Sequence, residues 1–298
     1  YSQHKSRIKT KNDRSRKCPP KAYFLLHVLP STTEDKTYFP VRYAESMERN
    51  GLDSRKRERK IGLWVCGVSS FFVISFFLVP YYLPTDSVPK LSGRANAFDY
   101  YSADSWGNVQ SSSSGEVGHN QSEYGYFAWS ELDPYAAFIY GFGDLNCHNK
   151  AERSWEINGN QMPVCVRDVG IFFGFALGGF LYSRRGLNRW TLRDSFLSIF
   201  PDNRLDFVYR NNYRTLALIA SALIMAGPMA IDGFTQLLTS YESNATMRML
   251  TGLPFGVFIG TFLAASFAAR PEYFGKEPSM VLLPSNTRFS TAEKEQEE

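Results

Sequence analysis

Histidine and cysteine are scarce in this chain, four of each in 298 residues, and no two cysteines form a C-x-x-C pair. The common thiol-redox motif and the standard zinc modules are therefore missing as units. A G-x-x-x-x-G-K-[ST] phosphate loop is also lacking, and the glycines lie in apolar runs, so nucleotide is not an expected partner. No secretory signal-peptide pattern opens the sequence, which starts at Tyr1 and not at Met. The acid-poor start (Lys5, Arg7, Lys9, Lys11, Arg14, Arg16, Lys17) has the composition of some organelle-targeted segments, or of a basic arm for anionic lipid or an acidic partner.

The most telling deficiency is of charge. Residues 61–83, 215–231 and 249–269 contain no Asp, Glu, Lys or Arg, and 169–182 is a shorter run of the same kind. A bilayer core of roughly 30 Å is crossed by about 20 apolar helical residues. The mean hydropathy of -0.28 averages these runs with long polar stretches and hides them. The expected fold is all-α: a polytopic helical membrane protein with about four transmembrane helices, an outer interfacial helix, a long polar N-terminal arm and a long outer loop. In domain terms, 1–60 reads as a polar basic arm, 61–83 as the first span and 84–133 as a Ser- and aromatic-rich loop. Residues 134–269 read as a membrane domain with spans near 168–183, 214–238 and 249–269, and 270–298 as a polar tail.

Basic residues crowd one side of this plan. Arg55, Lys56, Arg57, Arg59 and Lys60 precede the first span; Arg184, Arg185, Arg189, Arg193, Arg204, Arg210 and Arg214 follow the second; Arg270 and Lys276 follow the fourth. By the positive-inside rule both termini face the cytoplasm or an organelle matrix, in a plasma membrane or an organelle inner membrane. The formal charge of +4 then reports topology, and nucleic acid is not an expected partner. Uncharged inner halves of the spans also argue against a transport path. Asn120 and Asn244 head glycosylation sequons, both on the predicted outer side.

The unusual polar residues gather on that outer side. Cys147, His148, Arg153, Cys165, Arg167 and Asp168 precede the second span; Asp232, Thr235 and Gln236 end the third; Arg248 opens the fourth. A carboxylate within a span costs about 2.5–3.5 kcal/mol on insertion scales, so Asp232 is expected to pair with Arg248 or Arg167. Three readings of the cysteines stay open. Cys147 and Cys165 suit a disulfide in an oxidising compartment. Cys147, His148, Cys165 and Asp168 have metal-ligand chemistry, for zinc or iron, although adjacent Cys-His side chains turn to one ion awkwardly. A thiol-redox pair is the third. Gly170, Gly174 and Gly178, and again Gly252, Gly256 and Gly260, recur every four residues and make flat faces for helix packing.

Taken together, Cys147-His148-x4-Arg153-Ser154, Gln161-Met162-Pro163-x-Cys165-x-Arg167-Asp168-x-Gly170, Asp232-Gly233-x-Thr235-Gln236, and Ser243-Asn244, Arg248 and Thr251-Gly252 resemble the membrane-protein family called domain of unknown function 2085, over about residues 135–265. The resemblance implies a small helical membrane domain and assigns it no chemistry. The chain departs from it at Asn149-Lys150, where the family commonly has Gln after Cys-His. It also adds the arm, the first span and the outer loop, which look like surfaces for partners. The expected function is a non-catalytic accessory (structural or assembly) subunit of a larger membrane complex, a bioenergetic one being the candidate type, whose partners are other membrane subunits and lipids and which needs no cofactor. The alternative is a membrane-embedded metal-dependent enzyme with the outer Cys/His/Asp site, acting on an anionic lipid-like substrate.

Overall fold

The computed structural model describes residues 55–93, 98–109, 120–275 and 277–289. Cys18, the serine run 111–114 and all but the last six residues of the expected arm lie outside them. The described chain is predominantly helical, and four helices are long and apolar enough to cross a membrane: α1 (Lys56–Tyr82), α4 (Val166–Arg185), α7 (Arg214–Leu238) and α8 (Ala245–Ala268). Between α1 and α4 lie a short α2 (Trp106–Val109) and α3 (Pro134–Asn146); α5 (Leu192–Leu197) and α6 (Asp202–Arg210) connect α4 to α7.

Local sequence sets the ends of these helices. The α1 C-cap Leu83 is extended at φ -60, ψ 151, as the residue before Pro84 must be to avoid the proline ring. Asp133 caps α3 by accepting from Tyr135 N at 3.0 Å and Ala136 N at 3.2 Å. Pro134 fills the first helical position, where no N–H is needed. Asn244 caps α8 through Met247 N at 2.8 Å, so this sequon residue already uses its side-chain oxygen. The other sequon residue, Asn120, caps a 3-10 turn through Ser122 N.

The most extensive helix contact is between α4 and α8. Gly170 faces Met249, Gly174 faces Leu253 and Val257, and Gly178 faces Val257 and Thr261. In return Gly252 faces Arg167, Gly256 faces Ile171, and Gly260 faces Phe175. Both series ascend together, so the two helices run parallel. At all six glycines the nearest atom to an added Cβ would be a backbone carbonyl oxygen. The backbones thus touch directly, which only glycine permits. A further glycine pair, Gly62 and Gly179, seats α1 against the other side of α4. Phe72 and Phe76 of α1 meet Phe172 of α4, so α1 runs antiparallel to it.

Two apolar clusters close the ends of the bundle. At the arginine-rich end, Tyr182, Phe196, Leu197, Phe258 and Ala265 pack with Phe274, Val281 and Leu283. The stretch expected to be a polar tail from residue 270 therefore docks into the core as far as Leu283, because three apolar side chains find a place there. At the cysteine end, Phe76, Val79, Val88, Leu91, Tyr100, Ile139, Met162 and Val164 form the second cluster.

That second cluster is held by a two-stranded hairpin, β1 (Glu156–Ile157) and β2 (Asn160–Gln161), whose turn is Asn158-Gly159. Both turn residues have positive φ, 54 and 74, the geometry that favours Asn-Gly in two-residue hairpins. Asn160 accepts from Val88 N at 2.8 Å and donates to the carbonyls of Pro80 and Pro84. Gln161 accepts from Leu91 N at 2.8 Å and donates to Asn149 O at 3.0 Å. These two buried amides stitch the segment after α1 to the hairpin. Each such bond contributes about 1 kcal/mol, and more is lost when a buried partner is orphaned.

Candidate functional site

At the cysteine end, α3 hands over to an extended Cys147 (φ -120, ψ 155) whose N–H still bonds Gly143 O. Across the hairpin the chain returns to Cys165, which is the N-cap of α4. An added Cβ on Gly143 would collide with Pro163 O, so a glycine there brings α3 close to the strand leading into α4. The two cysteines meet through this closure. The Cys165 backbone N–H donates to Cys147 Sγ at 3.1 Å, and the Cys165 thiol donates to Asp168 Oδ2 at 3.2 Å. One ligand atom from each of Cys147, Cys165 and Asp168 lies within 4.8 Å of the others.

Neither cysteine is in a disulfide, nor is Cys66 in α1, so the Cys147–Cys165 disulfide is not formed in this structure. His148 is exposed and stands outside the group. Extended backbone at Cys147 sends neighbouring side chains to opposite sides, which separates His148 from the ligand set in which the sequence placed it. Cys147 is only 2% exposed. A hydrogen bond with the Cys165 thiol, burial and the Asp168 carboxylate all push the Cys147 thiol well above its ordinary value.

Beside the thiols runs a chain of charged groups. Arg167 of α4 pairs with Asp232 of α7. Gln236, one turn on from Asp232, donates to its Oδ2 at 2.9 Å and accepts from Arg248 of α8 at 2.8 Å. Arg248 also bonds Ser243 O at 2.9 Å and Glu242 at 3.1 Å. Glu242 in turn takes Arg153 at 2.8 Å. Of the polar residues singled out at this face, Arg153, Arg167, Asp232, Gln236 and Arg248 thus join one network. Thr235 does not: its hydroxyl bonds Ile231 O within its own helix. Asp232 reaches Arg248 only through Gln236, so Arg167 is its ion-pair partner.

Glu242, which the sequence reading passed over, is the hinge of this network. Burial pushes its carboxyl upward, but the hydrogen bond and charge of Arg153, with Lys150 and Arg248, hold it below the usual carboxylate value. Its signal in sequence was faint: one acid in the loop between two spans, two residues from a capping Asn and six from Arg248. Asp144 was passed over as well. Its Oδ2 accepts from Tyr100 N and Trp129 Nε1, both at 3.0 Å, and so ties α3 to the outer loop.

Residues 147–262 match a family model described as "Predicted membrane protein (DUF2085)". An uncharacterized protein of Methanothermobacter thermautotrophicus is 36% identical over 111 residues, which span 37% of this chain and 78% of the relative. An uncharacterized protein of Methanocaldococcus jannaschii is 30% identical over 147 residues, 48% of this chain and 80% of that relative. No solved structure matches significantly. The matched region begins at Cys147 and ends within α8, so α1, the outer loop 84–133 and α3 lie outside it.

Proposed function

Because the chain belongs to the DUF2085 family of predicted membrane proteins, we propose that it acts as a non-catalytic structural or assembly subunit of a larger membrane complex. The observation that carries this reading is the way its charged residues are used. Arg153, Glu242, Arg248, Gln236, Asp232 and Arg167 bond one another, and in doing so fasten α7 and α8 to α4. Charged groups engaged with one another across helices in this way act as a clamp on the bundle.

A second feature supports the reading. Only 6% of the apolar stretch of α7 is buried within the chain, against 50% for α4. Trp64, Phe71 and Tyr81 of α1 are likewise turned outward. These surfaces suit neighbouring subunits and lipid. The topology that goes with it puts both termini on the cytoplasmic or matrix side, where the basic residues flanking α1, α4 and α8 converge.

Native mass spectrometry of the full chain extracted from its own membrane in mild detergent tests the proposal, with a photo-crosslinking residue placed at Leu223 or Ile224. A defined heteromeric assembly, with crosslinks from α7 to one stoichiometric partner, is the expected result. A monodisperse single chain whose α7 crosslinks only to lipid overturns it.

A further inference from the structure

We propose that Cys147, Cys165 and Asp168 bind a divalent ion of the zinc class, with three protein ligands and a fourth position for water or an anionic ligand. The site stands independently of the subunit reading, since an ion there serves a helix clasp and a reactive centre equally.

The geometry is close to what such an ion needs. Zinc holds thiolate sulfur at about 2.3 Å and carboxylate oxygen near 2.0–2.2 Å, which places tetrahedral ligand atoms about 3.6–3.8 Å apart. The three ligand atoms lie within 4.8 Å of one another, and Cys165 Sγ is already 3.2 Å from Asp168 Oδ2. Small side-chain rotations close the remaining gap. Two sulfur ligands select a soft or borderline ion over calcium or magnesium.

The surroundings are built for it. Cys147 is set by the last turn of α3 and Cys165 by the N-cap of α4, so the ligands sit on ordered helix ends. The Cys165 N–H directed at Cys147 Sγ orients that sulfur and stabilises it as thiolate, the outer-shell role common around metal ligands. An ion displaces the two thiol protons to solvent, leaving two thiolates, a carboxylate and the ion with one negative charge overall. The neighbouring network supplies the balance. Its three guanidiniums, of Arg153, Arg167 and Arg248, face two carboxylates, of Asp232 and Glu242, leaving one positive charge, and Arg167 is two residues from Cys165 in the chain.

The test uses the full chain in mild detergent, purified without chelator, measured first for metal content and free thiols, then stripped, reduced and titrated with cobalt(II). The expected result is about one zinc-class ion per chain and, on titration, thiolate-to-cobalt charge-transfer bands of a tetrahedral site. Cys165→Ser removes those bands. Asp168→Asn weakens cobalt affinity at least as much as the roughly 10–100-fold lost with an orienting partner, and His148→Ala leaves it unchanged. Should Cys165→Ser fail to fold, the wild-type chain still decides: zinc protects both thiols from alkylation and a chelator releases them. A reduced chain that takes up no cobalt, thiols that zinc does not protect, or equal uptake by Asp168→Asn overturns the site. So does a His148→Ala loss matching that of the ligand variants, or a quantitative Cys147–Cys165 disulfide whose reduction restores no uptake.

Discussion

Two helices of this bundle join their neighbours by opposite means. The α4–α8 pair meets backbone to backbone along six glycines, with no charged side chain between the central ones. By contrast, α7 has a single buried residue, Asp232, and holds to α4 through Arg167 and to α8 through Gln236 and Arg248. Apolar surface gives no preference between protein and lipid tails, so a helix in a membrane needs either close packing or polar bonds to be held. The first seam uses dispersion at short range; the second uses a few directional contacts on a helix whose other apolar side chains are at most partly buried. The first is therefore sensitive to volume and the second to charge.

The largest effect is expected at the polar seam. Asp232→Ala leaves Arg167 without its carboxylate, and breaking a buried pair from one side costs about 3–5 kcal/mol. Detergent-titrated unfolding should show the loss, with proteolysis rising first in α7 while α4 and α8 stay protected. If Asp232→Ala melts like the parent, the ion pair does not hold α7.

Next comes the glycine seam. Gly256→Ala drives a Cβ into the Ile171 carbonyl, and overpacking of this kind costs about 1–3 kcal/mol. Gly227→Ala in α7 is the control, because nothing lies within 4 Å of a Cβ built there. Relief of glycine's helix penalty should then stabilise by about 0.5–1 kcal/mol. Opposite signs for the two substitutions sharpen the contrast between the seams; a common sign breaks it.

The smallest effect is on pH. Interactions within the network lower the Glu242 carboxyl, so its contribution to stability is complete above the ordinary carboxylate range. It is lost as pH falls through that range toward the lower folded value. Glu242 is more than half exposed, so the change should be slight and weakened by salt. Melting temperature against pH should decline on the acid side, and Glu242→Gln should flatten that part of the curve.

Much of this was legible in one dimension. Runs without charge announced the four long helices because each residue in such a run must be compatible with the same apolar surroundings. Glycine at every fourth position announced a close helix face because the period of the helix turns spacing into a stripe. Asp232 stood out as a carboxylate in an apolar run, and the arginines near Cys165 and Asn244 stood out as its candidate partners.

Other features had no such signature. Asn158-Gly159 did carry a hairpin signal, but nothing near it foretold that Asn160 and Gln161 would reach across to Val88 and Leu91, some 70 residues earlier. Glu242 looked like an ordinary loop acid until Arg153, 89 residues earlier, and the nearby Arg248 closed on it. His148 sits beside Cys147 in sequence and yet is exposed and outside the group formed by the two thiols and Asp168.

The sequence by itself determined the four long helices, their apolar character and the end of the bundle where the unusual polar residues collect, since each of these is a matter of period and composition along a short stretch. Tertiary structure alone decided which arginine meets Asp232, that Gln236 bridges to Arg248, and that Cys147 and Cys165 meet Asp168 without His148. Those outcomes depend on how helix ends distant in the chain are rotated about one another, and a rotation of a fraction of a turn exchanges one partner for the next.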